Sequence, residues 1–462
     1  MKHMSLQEIA SACGGTYRGE ASLAAREVSN VVIDSRKVIK DSLFIAIRGS
    51  RVDGHSFIPQ VMKNGALCAV SEQDLGRTDS PYIRVDSCEQ ALKDIAEHYR
   101  RSLDIKVVGI SGSVGKTSTK EMISSVLSQH YSVLKTEGNF NNEIGLPLTV
   151  FNIREEHEVA VLEMGISDFG EMTRLAKIAR PDICVITNIG VAHMETLGSR
   201  DGILKAKTEM FRYMNPEGVI ILNGDDDKLR NFTPENGIAP VYFGLDSACP
   251  YHAEQIRNRG LKGTDAQFLT PRSSFCAHIS IPGGHMVYNA LAGIAVGYAL
   301  GMTDKEISRG IEKNAPIAGR NHLIEGEHYT IIDDCYNANP ASMKSSLDVL
   351  TCADTRTAAI LGDMFELGSR EKEMHYEVGV HAAKAGINVL ICIGALSSEI
   401  ARGARETIDT CSPVPKEMEI RHYDSKAGFF SEMSDVLQEK DTVLVKASHG
   451  MEFAEIVEQL KK

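Results

Sequence analysis

The stretch VVGISGSVGKTS, residues 107–118, joins an apolar run to a glycine-rich turn and then to a segment of helical character. Strand, glycine-rich turn and helix in this order predict a phosphate-binding P-loop. The common P-loop has a glycine five positions before the glycine of its Gly-Lys pair. That position holds Ile110 here, so either the site is damaged or the loop belongs to a lineage that uses Gly109 and Gly112.

This loop predicts a binding site for ATP. Backbone N–H groups from Gly112 to Lys116 would point at phosphate oxygens, aided by the positive end of the following helix. Lys116 would neutralise charge on the β- and γ-phosphates, and the Thr117 hydroxyl would face Mg²⁺. The alternative is a glycine-rich turn that holds no ligand, although Gly-Lys-Thr in this context is a demanding pattern. The loop residues predicted to bind ATP are Gly112, Ser113, Val114, Gly115, Lys116, Thr117 and Ser118.

Composition excludes several classes of protein. A chain of 462 residues with 43% apolar residues predicts two to four globular domains. No run of 18 uncharged apolar residues occurs, so no membrane span is expected, and the N-terminus resembles a first helix more than a signal peptide. The ten cysteines include no Cys-x-x-Cys pair, which indicates free thiols in a reducing compartment. The net charge of −12 argues against nucleic-acid binding through a basic face.

The order of apolar runs predicts an α/β protein with three domains. Residues 1–103 alternate short strands with helices, as in a small α/β unit. From Ile105 onward, repeated strand-then-helix units with nearly continuous apolar strands predict a mostly parallel sheet, covered on both faces, over residues 104–315. A connector at 314–320 leads to a Rossmann-like unit over residues 316–462, which lacks the Gly-x-Gly-x-x-Gly of dinucleotide sites.

Two polar residues follow strands of the central unit. Glu163 ends the run AVLE, and His193 lies shortly after the run ICVI. Both would emerge at the edge where parallel sheets bind ligands, although each could also simply end a strand or occupy a loop. A histidine ligand would be unusual for the Mg²⁺ of an ordinary P-loop enzyme. A regulatory GTPase is disfavoured because Asn-Lys-x-Asp is absent, whereas a small-molecule kinase stays open.

Five motifs in the central unit resemble the ATPase domain of the Mur ligases. In chain order they are ISGSVGKTSTKEM, TEGNFNNEIGLPLT, VLEMG, TNIGVAHMETLGS and AKTEMF. The P-loop of that family normally lacks the earlier glycine, which would make Ile110 a mark of lineage. Folylpolyglutamate synthetase shares this domain, so these motifs alone indicate the superfamily.

Motifs in the outer units refine the resemblance. They are DDCYNANPASM, LGDMFELG and VLVKASHGMEFAEIV near the C-terminus, and VIDSRKVIKDSLFIAIRGSRVDGHSF near the N-terminus. All resemble the Mur ligase that adds a dipeptide, so the resemblance extends over essentially the whole chain. The N-terminal unit would then bind a UDP-linked substrate.

The resemblance implies an ATP-dependent ligase that joins D-alanyl-D-alanine to UDP-N-acetylmuramoyl-tripeptide through an acyl phosphate. Such an enzyme would act in peptidoglycan precursor synthesis, in the cytoplasm, and is expected to be a monomer without nucleic-acid partners. One alternative is a ligase of the same family that adds a single amino acid. Another is a nucleotide-dependent binding protein that has lost turnover.

The resemblance also implies roles for individual residues. Lys116, Glu163, His193 and Lys207 would be catalytic, with two Mg²⁺ ions held by Thr117, Glu163, His193 and Lys207. In these ligases the lysine of the AKTEMF motif is carbamylated, which converts a repelling ammonium into an anionic oxygen donor. Without the resemblance, an exposed helical lysine would be the favoured interpretation of Lys207.

Further ligand contacts are implied outside the P-loop. Several residues could instead be caps, turn residues or packing residues, notably Asn289, the Asn139–Asn142 cluster and the strand end at Ser35. His449 stands where the family often has arginine, which weakens any anion-binding role there. The additional ATP contacts would be Asn289, Arg320, Asp334, Tyr336, Asn337 and Asn339. The substrate contacts would be Ser35, Arg36, Asn139, Asn142, Lys446 and Ser448.

Overall fold

The computed structural model describes residues 1–49, 52–76, 80–410 and 418–462. Three separate sheets of five, nine and six strands follow one another along the chain. Most neighbouring strands are parallel, which confirms the predicted α/β class with three units. The exact boundaries near residues 103 and 315 stay predictions, and residues 50 and 51 of the N-terminal motif lie outside the described residues. In the described part of the chain, no helix combines the length and apolar character that crossing a membrane requires.

The N-terminal sheet has the strand order β1-β5-β4-β3-β2, with only β1 antiparallel to its neighbour. Its strands are short, as the brief apolar runs predicted. They are β1 (Thr16–Arg18), β2 (Val31–Val32), β3 (Leu43–Ile45), β4 (Cys68–Ser71) and β5 (Tyr82–Arg84). The helices are α1 (Leu6–Ala12), α2 (Ile58–Lys63) and α3 (Cys88–Arg101).

The central sheet has the order β14-β13-β12-β11-β10-β9-β6-β8-β7, with an antiparallel meander at β12 to β14. Its strands are β6 (Lys106–Ser111), β7 (Val133–Lys135), β8 (Val159–Glu163), β9 (Ile183–Ile186), β10 (Val219–Asn223), β11 (Val241–Gly244), β12 (Tyr251–Asn258), β13 (Thr264–Leu269) and β14 (Ser274–Ile279). Its helices are α4 (Lys116–Leu127), α5 (Gly145–Val150), α6 (Glu171–Ala179), α7 (Met194–Leu197), α8 (Arg200–Thr208), α9 (His285–Ala299) and α10 (Asp304–Glu312).

Apolar side chains cover both faces of the central sheet, because alternate residues of a strand point to opposite faces. Val107 of β6 belongs to the core shared with the N-terminal unit, whereas Val108 packs with α4 and α9 on the other face. Met122 and Val126, two of the residues predicted to form the apolar face of α4, are fully buried there. The helix after the P-loop is therefore firmly packed on the sheet.

The C-terminal sheet has the order β15-β16-β20-β17-β18-β19, and only the β15–β16 pair is antiparallel. This is the predicted doubly wound arrangement. The strands are β15 (His322–Glu325), β16 (Thr330–Asp333), β17 (Thr357–Gly362), β18 (Val389–Ile393), β19 (Glu419–Tyr423) and β20 (Thr442–Lys446). The helices are α11 (Pro340–Leu350), α12 (Glu371–Ala385), α13 (Ser397–Thr410), α14 (Lys426–Val436) and α15 (Ala454–Leu460).

Candidate active site

A cavity of about 1020 Å³ lies between the central and C-terminal units. It opens at the carboxyl ends of the parallel strands, where α/β sheets bind ligands. Most of the residues predicted to bind ligands line it. They are Ser113, Val114, Gly115, Lys116, Thr117, Ser118, Asn139, Asn142, Glu163, His193, Asn289, Arg320, Asp334, Tyr336, Asn337, Asn339 and Lys446.

The backbone of the P-loop explains the missing glycine. Ile110 is fully buried in β6 and pairs with Glu163 of β8, so it belongs to the strand and not to the turn. The turn begins at Gly112, which has a φ of 150°. A Cβ atom added there would lie only 1.9 Å from Thr187 Oγ1, so no side chain fits at this position. Gly115, with φ of 82°, precedes the first residue of α4. The site is intact, and Gly112 and Gly115 shape its turn.

The segment after β9 braces this loop. Asn188 accepts the N–H of Ser113 through its carbonyl and the N–H of Val114 through its side-chain oxygen, both at 3.0 Å. The hydroxyl of Thr187 donates to the Val114 carbonyl at 2.7 Å. The N–H groups of Ser113 and Val114 already donate to Asn188, so fewer backbone N–H groups of the loop remain free to bind phosphate than predicted. The first turn of α4, whose N–H groups have no intrahelical acceptors, is left to receive phosphate.

Lys116 lies in the first turn of α4, and its Nζ donates to the carbonyl of Gly112 at 2.8 Å. Its ammonium is thus folded back over the loop that would hold the phosphates. Burial lowers the pKa of Lys116, although the charge of Glu163 acts in the opposite direction. A phosphate on the loop would compensate this buried positive charge.

Glu163 ends β8 as predicted and is almost fully buried. Its Oε1 accepts a hydrogen bond from Asn141 Nδ2 at 2.8 Å, whereas its Oε2 is buried without a hydrogen-bond partner. The Nζ of Lys120 lies 3.9 Å from that oxygen. The sequence analysis missed Asn141 and Lys120, although Asn141 lies in the same motif as Asn139 and Asn142. An unpartnered buried carboxylate oxygen is suited to a cation.

Lys207 is fully buried in α8, and its Nζ has no hydrogen-bond partner. Burial, assisted by the charge of Lys116, lowers the pKa of Lys207 well below its ordinary value. Lys205, two residues earlier and therefore on another side of the helix, is exposed. The interpretation of Lys207 as an exposed helical lysine is therefore wrong. Its amine lies beneath the cavity surface.

His193 lines the cavity in a left-handed backbone conformation, with φ of 60°. Burial and the charges of Lys207 and Lys116 lower its pKa to about 4. Its Nδ1 lies 3.6 Å from the carboxylate of Glu366 in the C-terminal unit, a contact that the sequence analysis missed. Within the described ranges, no three His, Cys, Asp or Glu side chains form a ready metal cluster. The predicted set of Mg²⁺ ligands is not such a cluster, because it includes a threonine hydroxyl and a modified lysine.

The predicted ATP contacts outside the P-loop lie largely in the C-terminal unit. The guanidinium of Arg320 lies 4.1 Å from the ring centroid of Tyr336, a cation–π contact. Lys446 donates to Asp334 Oδ2 at 2.6 Å. The side chain of Asn339 caps the N-terminus of α11, and the side-chain oxygen of Asn337 accepts a hydrogen bond from the N–H of the next residue. Asn289 is buried and accepts the hydroxyl of Thr119 at 2.8 Å, so it both packs and faces the cavity.

Five predicted residues do not line the cavity, for identifiable reasons. Gly112 is packed against Thr187 at the start of the P-loop, and Lys207 is enclosed by its neighbours. The buried hydroxyl of Ser448 accepts the N–H of Phe365 at 2.9 Å. Ser35 and Arg36 belong to the N-terminal unit, where the Arg36 guanidinium pairs with Asp34 at 2.8 Å. Asn142, although it lines the cavity, caps the start of α5 through its side-chain oxygen.

Three family models match successive parts of the chain. They are described as Mur ligase family, catalytic domain, over residues 27–100; Mur ligase middle domain, over 110–297; and Mur ligase, glutamate ligase domain, over 319–449. The UDP-N-acetylmuramoyl-tripeptide–D-alanyl-D-alanine ligase of Bacillus subtilis is 35% identical over 438 residues, 94% of this chain and 93% of the relative. The chain belongs to the Mur ligase family.

Other members of this family show the same agreement. The enzyme of that name from Escherichia coli is 32% identical, with 96% of each chain covered. A crystal structure of MurF from Acinetobacter baumannii superposes with a TM-score of 0.89 at 29% identity, over 99% of this chain and 98% of that one. A MurF ligase from Thermotoga maritima, solved in complex with ADP, gives 0.82 at 29% identity over 94% and 97%. The three-domain Mur ligase fold is thereby confirmed.

Proposed function

We propose that this Mur ligase joins D-alanyl-D-alanine to UDP-N-acetylmuramoyl-tripeptide, with conversion of ATP to ADP and phosphate. The relatives that carry this activity in their names match almost the full length of the chain. The ADP in the Thermotoga maritima structure supports ATP as the nucleotide. The product would be the UDP-linked pentapeptide precursor of peptidoglycan.

The observation that carries this proposal is a pair of buried polar atoms beside the P-loop. The Oε2 of Glu163 and the Nζ of Lys207 lack hydrogen-bond partners, although leaving such groups unpaired in a protein interior is costly. Both become satisfied if a cation binds Glu163 and if Lys207 carries a carbamate. Apolar side chains would serve at these positions if the loop were only structural.

The chemistry starts with two anions that repel each other, the terminal carboxylate of the tripeptide and the γ-phosphate of ATP. Lys116 on the loop and Arg320 at the cavity wall would neutralise the transferring phosphoryl group. The carboxylate oxygen attacks phosphorus and ADP leaves, which yields an acyl phosphate. The ammonium group of the dipeptide loses a proton to solvent, and its neutral nitrogen then attacks the acyl carbon. Phosphate leaves as the amide bond forms, and the nitrogen gives up a second proton.

The donor set of the cavity fits Mg²⁺. Thr117, Glu163, His193 and a carbamylated Lys207 would hold two ions. The low pKa of His193, about 4, keeps its ring neutral at pH 7, as a metal ligand must be. Bound Mg²⁺ supplies additional positive charge to the phosphates.

The environment of Lys207 supports its carbamylation. Only a neutral amine reacts with CO₂, and burial lowers the pKa of Lys207 well below its ordinary value. The charge of Lys116 acts in the same direction, so the ammonium form is disfavoured from two sides. The carbamate would place an anion, in exchange for a neutral amine, where the charge of Lys116 favours it.

Several broader expectations accompany this proposal. Two of its three proposed substrates, ATP and the UDP-linked tripeptide, are nucleotides, which supports a cytoplasmic location. That the enzyme is a monomer stays a prediction. The net charge of −12 gives no support to a nucleic-acid partner.

Product analysis tests the proposal against its nearest alternative. The purified protein is incubated with ATP, Mg²⁺ and UDP-N-acetylmuramoyl-tripeptide, together with either D-alanyl-D-alanine or single amino acids. We expect ADP and a product that is heavier by the two alanine residues of the dipeptide. The variant Lys116→Ala should give no such product. Ligation of a single amino acid in preference to the dipeptide would contradict the substrate assignment. Tight ATP binding without ligation would indicate a binding protein.

A further inference from the structure

The loop that follows β17, residues 363–367, is held firmly from behind. Its Met364 N–H donates to Nε2 of the buried His375 at 2.8 Å. The next N–H, that of Phe365, donates to the hydroxyl of Ser448 at 2.9 Å. Two successive backbone bonds therefore determine where the following residue, Glu366, stands.

Glu366 is presented to the cavity by an unusual backbone conformation. Its φ is 62°, and its side chain lines the cavity wall while remaining 74% exposed. His193, which it faces from the other domain, has φ of 60°. Residues other than glycine occupy this region at a cost, and such residues concentrate where a side chain must have a particular position.

Within the described chain, Glu366 is also the one cavity carboxylate neither of whose oxygens accepts a hydrogen bond from another residue. Glu143 and Asp334 are paired with cations. Glu163, Glu171 and Asp226 accept hydrogen bonds from backbone or side-chain amides. The carboxylate of Glu366 has only Nδ1 of His193 nearby, at 3.6 Å.

A free carboxylate is unexpected in a cavity suited to phosphates, because it repels them. It is suited to a ligand that brings its own positive charge. In an amide-forming ligase the attacking nitrogen arrives as an ammonium ion at pH 7, so the amine substrate brings such a charge. Direct ion pairing would hold that nitrogen beside His193 and the phosphoryl end of the cavity.

We propose that Glu366 binds the ammonium group of the incoming amine substrate and thereby directs its nitrogen toward the activated carboxyl group. This assignment rests on the proposed ligase function. It gives the C-terminal unit a second task beside contacts to the nucleoside. It also implies that the amine is recognised only when the two units lie as close as they do in this structure.

The test removes the charge of Glu366 in two ways. Glu366→Gln keeps the shape of the side chain, and Glu366→Asn introduces a residue that tolerates the left-handed backbone. We expect the KM for D-alanyl-D-alanine to rise about tenfold or more, while the KM for ATP and the Mg²⁺ requirement stay within about twofold. Glu327→Gln, on the turn between β15 and β16 and outside the cavity, is the control for net charge and should behave as wild type.

Equilibrium binding adds a measurement that a merely structural role would not change. The ADP-bound protein is titrated with D-alanyl-D-alanine and with N-acetyl-D-alanyl-D-alanine, which lacks the ammonium group. Wild type should prefer the free amine, and both Glu366 variants should lose that preference. Retention of the preference in the variants would overturn the proposal. A rise in the Mg²⁺ requirement with an unchanged KM for the amine would also overturn it, because Glu366 would then be part of a metal site. If wild type ligates a different amine, the proposed dipeptide substrate fails, and the same comparison with that amine still tests Glu366.

Discussion

At the scale of a single residue, Lys207 shows how burial changes the chemistry of a side chain. Sequence alone favours an exposed lysine, because helical lysines usually lie in solvent. The structure buries its amine without a partner, whereas Lys205 on the same helix is exposed. The difference depends on how α8 packs against the sheet, which local sequence does not determine. The family resemblance, and not the helical pattern, indicated the special role.

We predict that Lys207→Met abolishes turnover without unfolding the protein. Methionine keeps much of the buried volume but cannot form a carbamate, so ligation should fall about 100-fold or more. Removal of an unpartnered buried amine should leave the melting temperature unchanged or raise it. Activity assays and calorimetry measure both effects, with Lys205→Met as the matched control. Wild-type activity in Lys207→Met would remove the carbamate from the mechanism.

At the scale of elements, the P-loop depends on a neighbouring segment that no motif for phosphate binding includes. We predict that Gly112→Ala destabilises the protein by about 1–3 kcal/mol and strongly weakens ATP binding. An added Cβ lies 1.9 Å from Thr187 Oγ1, so the bond from Thr187 to the Val114 carbonyl must break. Gly301→Ala is the control, because φ there is 83° and no atom lies within 4 Å of the added Cβ. Equal ATP affinity in Gly112→Ala and wild type would contradict this explanation.

The loop after β17 should respond to pH through His375. Burial lowers the pKa of His375, although the Glu371 carbonyl and the charge of Asp363 act in the opposite direction. In the unfolded chain the pKa is about 6.5. As pH falls through 6.5 toward the lower folded value, the unfolded state takes up a proton first, and stability decreases by at most about 1.4 kcal/mol per unit.

The variant His375→Gln tests this pH dependence. Glutamine can still accept the Met364 N–H but does not titrate, so its melting temperature should fall less than that of wild type between pH 7.5 and 5.5. Because other histidines titrate in the same range, the difference between the two proteins is the quantity to compare. Identical pH dependence would show that the pKa of His375 is the same in the folded and unfolded states, which would contradict this prediction.

At the scale of the whole molecule, sequence patterns predicted the layers but not the contacts between domains. Parallel strands bring their carboxyl ends to one edge, so Glu163 and His193 could be assigned to the same site from strand order alone. The approach of Glu366 to His193 could not be predicted, because it depends on the relative position of two domains. The hydrogen bonds between Asn188 and the P-loop were not predicted for a related reason. They join two loops that are distant in sequence, and local patterns do not show which loops meet.

Cations beside the P-loop should allow the tripeptide carboxylate to take the γ-phosphoryl group before the amine attacks. The most direct measurement uses UDP-N-acetylmuramoyl-tripeptide labelled with ¹⁸O in its terminal carboxyl group, with ATP, Mg²⁺ and D-alanyl-D-alanine, and mass analysis of the released phosphate. We predict one ¹⁸O atom in each phosphate for every amide bond formed. Amide formation with unlabelled phosphate would contradict the acyl phosphate and with it the account of the site.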